Sequence, residues 1–171
     1  FIHNIIGMTM NWFNLTYNYL LGLSNKKIPF YNEKEDLNKY LFETIRFTCP
    51  ARYISSKVKN DNYKILHNLY KITRNKEKYG NDSHTFNINH MNGYEKHMSK
   101  CPFKDDKKIY KDTNEELIPC GFSINKNKNY VNFGIGYRRC PGELLTLTYL
   151  EELIKIVNKN KNKIELDLKE S

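Results

Sequence analysis

The residues richest in possible chemistry run from Asn132 to Glu143, reading Asn-Phe-Gly-Ile-Gly-Tyr-Arg-Arg-Cys-Pro-Gly-Glu. Gly134 and Gly136 permit a tight loop and let the backbone approach a flat ligand closely. Pro141 suits the first position of a helix, which puts Cys140 at the helix mouth, and Gly142 leaves room beside the sulfur. Unpaired N–H groups at a helix start favour a negative sulfur, so a thiolate is stabilised there. Arg138 and Arg139 add positive charge suited to carboxylates. Such a thiolate can act as a nucleophile or as a metal ligand. A nucleophile needs a base, usually His, and the nearest in sequence, His90 and His97, are not close.

A second constellation lies upstream, where Glu43-Thr44-Ile45-Arg46 spaces an acid and a base three residues apart. On a helix that spacing makes an ordinary ion pair, so alone it is weak. Its weight comes from its order in the chain, ahead of the cysteine.

The cysteine segment resembles the haem-binding signature of the cytochrome P-450 family, FxxGxRxCxG, with Phe133, Gly136, Arg138, Cys140 and Gly142 at the fixed places and no departure. At ~5% usage per residue, chance gives such a match in about one chain of this length in ten thousand. Glu43 and Arg46 match the family's ExxR motif. The resemblance implies that Cys140 ligates the iron of haem b (iron protoporphyrin IX). It implies that Arg138 pairs with a propionate, that Phe133 packs by the sulfur, and that Gly136 and Gly142 keep the loop close to the porphyrin. Glu43 and Arg46 become a buried structural pair. The stretch from Ile72 to Met91 is similar to the lead into the family's FxPERF motif. Phe86 matches there, but Ile88, Asn89, His90 and Met91 replace Pro, Glu, Arg and Phe, so His90 stands where the family's third buried charge sits.

The opening helix aligns with the family's oxygen-binding AGxDT segment through Gly7. Thr9 then takes the acid position and Met10 the alcohol position, with Asn11 one residue later, so Thr9 and Asn11 are the candidate catalytic residues of the distal side. The linker from the first helix to Glu43 is short for the family, and the interval from Phe86 to Cys140 is long. Pro-Gly-Glu and Thr146 after the cysteine are similar to the fatty-acid peroxygenase branch, which also lacks the acid–alcohol pair. That branch supplies an Arg on the distal helix, and none lies between Phe1 and Leu23.

The fold so implied is the C-terminal part of the cytochrome P-450 fold, mainly α with small β elements. Residues 1–171 then form one partial domain. It comprises a distal oxygen-side helix (1–23), an ExxR helix (36–48), an insertion or loop (93–129), and the haem-thiolate loop with its following helix (132–157). The implied function is a haem-thiolate monooxygenase that activates O2 to oxidise a small organic or lipid-like substrate, with a reductase or ferredoxin supplying electrons. Lys126, Lys128 and Arg139 are candidates for the face such a donor meets. Two alternatives stand beside it. One is an oxygen-independent haem-thiolate enzyme, either a peroxygenase or a hydroperoxide isomerase. The other is a non-catalytic relic.

The elements that must position these residues are legible in outline. Ile5 to Leu23 is helical and apolar on most sides, which predicts a deeply buried helix. The four Asn residues between Phe1 and Leu23 (Asn4, Asn11, Asn14 and Asn18) argue against a membrane span. Ser24 to Glu35 reads as a loop broken by Pro29. Asp36 is the expected N-cap of a helix with Leu37, Tyr40, Leu41 and Ile45 at helical spacing, ended by Pro50. Ile65 to Ile72 reads as a short strand or a turn of helix. Asp82 to Tyr130 lacks pattern and predicts a long irregular stretch. From Pro141 to Val157 one face carries Leu144, Leu147, Leu150, Ile154 and Val157, and Ile164 to Leu168 alternates as a strand does.

Composition excludes some function classes. Hydrophobic residues make up 39% of the 171 and aromatics 13%, which is too apolar for a disordered tail. The net charge of +9 comes largely from Lys interleaved with Asn, as in Asn158 to Lys163, a pattern that reads as solvated loops. A nucleic-acid-binding module would leave the cysteine signature unexplained, and none is expected. Four widely spaced Cys make a disulfide framework unlikely and suit a reducing compartment. Localisation is open between cytoplasmic and membrane-associated, since the chain opens on Phe1 and any anchor would precede it.

Overall fold

The computed structural model describes residues 2–57, 64–92, 133, 140 and 142–164. Among these the fold is mainly helical with one small antiparallel sheet. In chain order the elements are α1 (Ile2–Ser24), α2 (Leu37–Thr48), β1 (Tyr53–Lys57), β2 (Lys64–Asn68), α3 (Leu69–Ile72), α4 (Lys76–Tyr79), a 3-10 turn (Ile88–Met91) and α5 (Glu143–Lys159).

The centre is α2, which packs against α1, α5 and the 3-10 turn. The Asp36 carboxylate caps its start, accepting from the amides of Asn38 at 2.9 Å and Lys39 at 3.3 Å. At its other end Cys49 takes the left-handed conformation with φ 43°, ahead of Pro50. Tyr40, Leu41, Phe42 and Ile45 are buried with Leu15, Tyr19 and Leu23 of α1 and Leu147, Leu150, Ile154 and Val157 of α5. Each such aliphatic side chain contributes about 1.5–3 kcal/mol through water exclusion.

Helix α1 ends in a turn that closes on itself. Lys26 sits at φ 54°, and the amides of Lys26 and Lys27 reach back to the carbonyls of Leu23 and Gly22 at 3.0 and 2.8 Å, the Schellman arrangement. A Cβ at Gly22 would meet Ile28 Cδ1 at 2.5 Å, so only glycine lets Ile28 fold back over the helix end.

Three expectations are corrected. Helix α1 is not deeply buried, because only one face meets the core. Ile6, Met10, Phe13, Tyr17, Leu20 and Leu21 are exposed, and its lack of charge had disguised a two-faced helix as a core one. Helix α5 begins at Glu143 with Gly142 as N-cap, so the helix opens after Pro141 rather than on it. Ile164 lies in a helical turn, its amide bonded to the Asn160 carbonyl at 3.0 Å. It therefore starts no strand, and residues 165–168 of that expectation lie outside the described residues. The choice between strand and helix at Ile65 to Ile72 resolves into both, since β2 passes directly into α3 at Asn68. The interval 93–129 also falls outside the described residues.

Candidate functional site

Two places hold the residues singled out in the sequence. The first is a buried charged cluster on α2. Helical spacing brings Glu43 and Arg46 together, and both side chains are 0% exposed. Arg46 donates Nε to Glu43 Oε2 and Nη2 to Glu43 Oε1, both at 2.6 Å. Its remaining N–H groups go to backbone carbonyls from distant segments: Thr73 at 2.7 Å, Ser83 at 2.8 Å and Thr85 at 2.8 Å. All five guanidinium donors are thereby used. A buried pair can stabilise only when its remaining donors and lone pairs are satisfied, and here they are.

Glu43 Oε1 also accepts from the Asn87 amide at 2.8 Å, and His90 Nδ1 lies 2.9 Å from the same oxygen. The 3-10 turn carries His90 to this place, started by the Asn87 side chain accepting from the Asn89 amide. Sequence reasoning thus named Glu43, Arg46 and His90, and the fold brings all three together. It assigned no role to Asp82, whose Oδ1 is 3.1 Å from His90 Nε2. A hydrogen bond from the Asn87 side chain, and then one from His90, holds the Asp82 carboxyl below its ordinary value. Nor did it foresee Arg74, which donates to the Phe47 carbonyl and lies 3.8 Å from the Tyr70 ring centroid. Burial lowers the Arg74 guanidinium from its usual value. Its signal was the Ile72 to Asp82 stretch, noticed for its position and not for these contacts.

The second place is the cysteine end of α5. The Cys140 amide donates to the Phe133 carbonyl at 2.7 Å, so the two ends of the signature meet. Phe133 is half-buried against the core. Cys140 is an exposed free thiol, two residues ahead of the Gly142 N-cap. Met8 of α1 comes close to this end: a Cβ placed on Gly142 would sit 3.5 Å from Met8 Sδ and 3.7 Å from Cys140 Sγ. These are ordinary contacts, so protein atoms alone do not demand glycine here. Gly136, Arg138, Arg139, Lys126 and Lys128 lie outside the described residues.

Helix α1 is fixed against α5 by neutral polar contacts. Trp12 Nε1 donates to Thr146 Oγ1 at 3.0 Å, and the Trp12 and Tyr149 rings stack with centroids 4.9 Å apart. Thr16 Oγ1 and the Tyr149 hydroxyl are 2.6 Å apart. These contacts place Thr9 and Asn11 on the exposed surface of α1. Met8 is the residue of that helix brought nearest to Gly142.

Chemically, the two places differ in kind. The Glu43–Arg46 pair is sealed and saturated, which suits a structural role. The Cys140 sulfur is open to an incoming ligand. Among the described residues no group of three His, Cys, Asp or Glu could hold a metal ion. No helix among them is long and apolar enough to cross a membrane. No family model, no curated protein and no solved structure matches this chain.

Proposed function

We propose that the chain is the haem-thiolate half of a cytochrome P-450-type monooxygenase, in which Cys140 would ligate the iron of haem b. The observation that carries this is the complete signature Phe133, Gly136, Arg138, Cys140 and Gly142. The buried Glu43–Arg46 pair with His90 against it supports the reading. The donor chemistry fits the group as well. Cys140 is exposed and outside any disulfide, and a thiolate is the ligand that pushes electron density towards O–O cleavage.

In this reading Cys140 holds the iron, Arg138 pairs with a propionate as a guanidinium fork suits a carboxylate, and Phe133 shields the sulfur. Gly136 and Gly142 keep the loop backbone close to the ring. When bound, haem supplies the oxidation of a C–H bond of a small organic or lipid-like substrate, with a reductase or ferredoxin as electron donor. The chain's own contribution is to position the thiolate at the open end of α5 and to hold α1 across it through Trp12, Thr16 and Tyr149.

The test uses the full natural chain reconstituted with haem, reduced under carbon monoxide, with its absorption spectrum recorded. The expected result is a Soret band at the thiolate-ligated position that disappears in Cys140→Ala. A band at the His-ligated position, or none, refutes the reading and favours a non-catalytic relic. A second reading, turnover with peroxide in place of O2 and a reductase, is favoured by Thr9 and Met10 standing where an acid and an alcohol are expected. Product formation with hydrogen peroxide alone, and none with the reductase, would establish it.

A further inference from the structure

We infer that the outer face of α1 is a self-association surface, through which two copies of this chain pair helix to helix about a two-fold axis.

Spacing is the first reason. Ile6, Met10, Phe13, Tyr17 and Leu20 recur at alternating intervals of four and three, with Leu21 beside the last. On a helix that rhythm gathers them within about 100° of arc. It is the heptad seam by which one helix meets another. Leu15, Tyr19 and Leu23, which pack into the core, lie on the opposite side. Helix α1 therefore carries two apolar stripes, and only one is used within the described residues. All six outer side chains are between 42% and 64% exposed.

Area sets the scale. Six such side chains present roughly 600 Å² to water, the upper end of what a monomer ordinarily leaves bare. A standard interface takes about 800 Å² from each partner. The stripe approaches that figure before its rim of Asn14 and Asn18 is added.

Charge selects the occupant. Helix α1 holds no Asp, Glu, Lys or Arg, so it offers nothing to a partner recognised by ion pairs. Two copies can meet there without like-charge repulsion, although each bears a net charge of +9. A helix built to lie on a lipid surface carries Lys and Arg beside its apolar stripe, and α1 has neither.

The centre of the stripe is already ordered. The Phe13 and Tyr17 rings stack, with centroids 6.2 Å apart and planes 10° from parallel. Rigid aromatic anchors of this kind carry much of the energy of an interface. An isologous contact presents the same patch from both copies. With the helices antiparallel their macrodipoles are opposed. An axis beside the ring pair then sets Phe13 against Tyr17 of the other copy, and Met10 against its Leu20. This inference does not depend on whether Cys140 binds haem.

Sedimentation velocity of the full chain over a concentration series tests it. The wild type should pass from monomer to dimer as concentration rises, and a chain that stays monomeric throughout overturns the proposal. Phe13 lies outside the core, and Phe13→Ser should weaken association about tenfold or more. Ile156→Ser, at a comparably exposed apolar side chain of α5, should leave association unchanged. If Phe13→Ser associates as the wild type does, or Ile156→Ser weakens it equally, the pairing surface is elsewhere and the proposal falls. Flotation with phosphatidylcholine vesicles should leave the protein unbound. A monomeric chain that floats, and ceases to in Phe13→Ser, would make the stripe a lipid-facing surface instead.

Discussion

The α2 cluster and the α1–α5 seam solve the same problem, joining helices to what packs on them, with opposite chemistry. At α2 a carboxylate, a guanidinium and an imidazole are sealed from water and tied to carbonyls at Thr73, Ser83 and Thr85. At the seam there is no Asp, Glu, Lys or Arg from Phe1 to Ser24, and a stacked Trp12–Tyr149 pair with two hydrogen bonds, Trp12 to Thr146 and Thr16 to Tyr149, joins the helices. Buried charge is intolerant of change because each group depends on its partners, whereas a neutral aromatic seam can lose one contact and keep the rest. The cluster therefore defines one arrangement of its segments, and the seam permits small adjustments between α1 and α5.

The largest effect that would sharpen this contrast is Arg46→Leu. It leaves the Glu43 side chain buried without its guanidinium and strands three carbonyls, so chemical denaturation should show a loss of about 3–5 kcal/mol. Arg46→Lys should not restore it, since one ammonium cannot replace a five-donor fork. Trp12→Phe keeps the stack and removes the bond to Thr146, and its cost should be about 1 kcal/mol. If Trp12→Phe cost as much as Arg46→Leu, the contrast would fail.

Alkaline titration probes the neutral side. Burial pushes the Tyr19 hydroxyl up to about 12 and raises Tyr40 further. Both are neutral in the fold, with Tyr40 donating to the Pro29 carbonyl at 2.6 Å. Their ionisation in the unfolded chain removes stability as pH climbs above about 10. Tyr19→Phe should reduce that alkaline loss, read as unfolding midpoint against pH. The smallest effect belongs to Phe13→Ser on the outer face of α1, 64% exposed, which should change stability by no more than about 0.5 kcal/mol.

What the sequence disclosed follows the same division. Helix α2 was readable because its signals are local: Asp36 at the cap, apolar positions at helical spacing, Pro50 beyond the end. Glu43 and Arg46 were visible as a pair for the same reason. The carbonyls that saturate Arg46 were not, because a backbone oxygen bonded across 27 to 39 residues leaves no mark on residue type. Helix α1 was located but misjudged in burial, since periodicity gives no direction when polar residues are uncharged amides. Strand β1 went unseen because Tyr53-Ile54-Ser55-Ser56-Lys57 has no alternation to read. At the cysteine end the signature was legible letter by letter, whereas the approach of Met8 depends on how α1 crosses α5 and has no sequence signal.

The absence of alternation in the hairpin has a consequence for how its strands find each other. Hairpins with one buried face choose their register by that face, because a slip of one residue turns every side chain over. Here Tyr53, Ile54, Ile65 and Leu66 are all exposed, so burial cannot choose. Asn68 can. It pairs with Tyr53 as the last rung of the ladder, and its side chain accepts from the Lys71 amide to start α3. The next amide, Leu69, bonds to the Arg52 carbonyl at 2.9 Å. A slipped hairpin would have to pull the cap off that helix, so the alignment of the strands is set at their root rather than along their length.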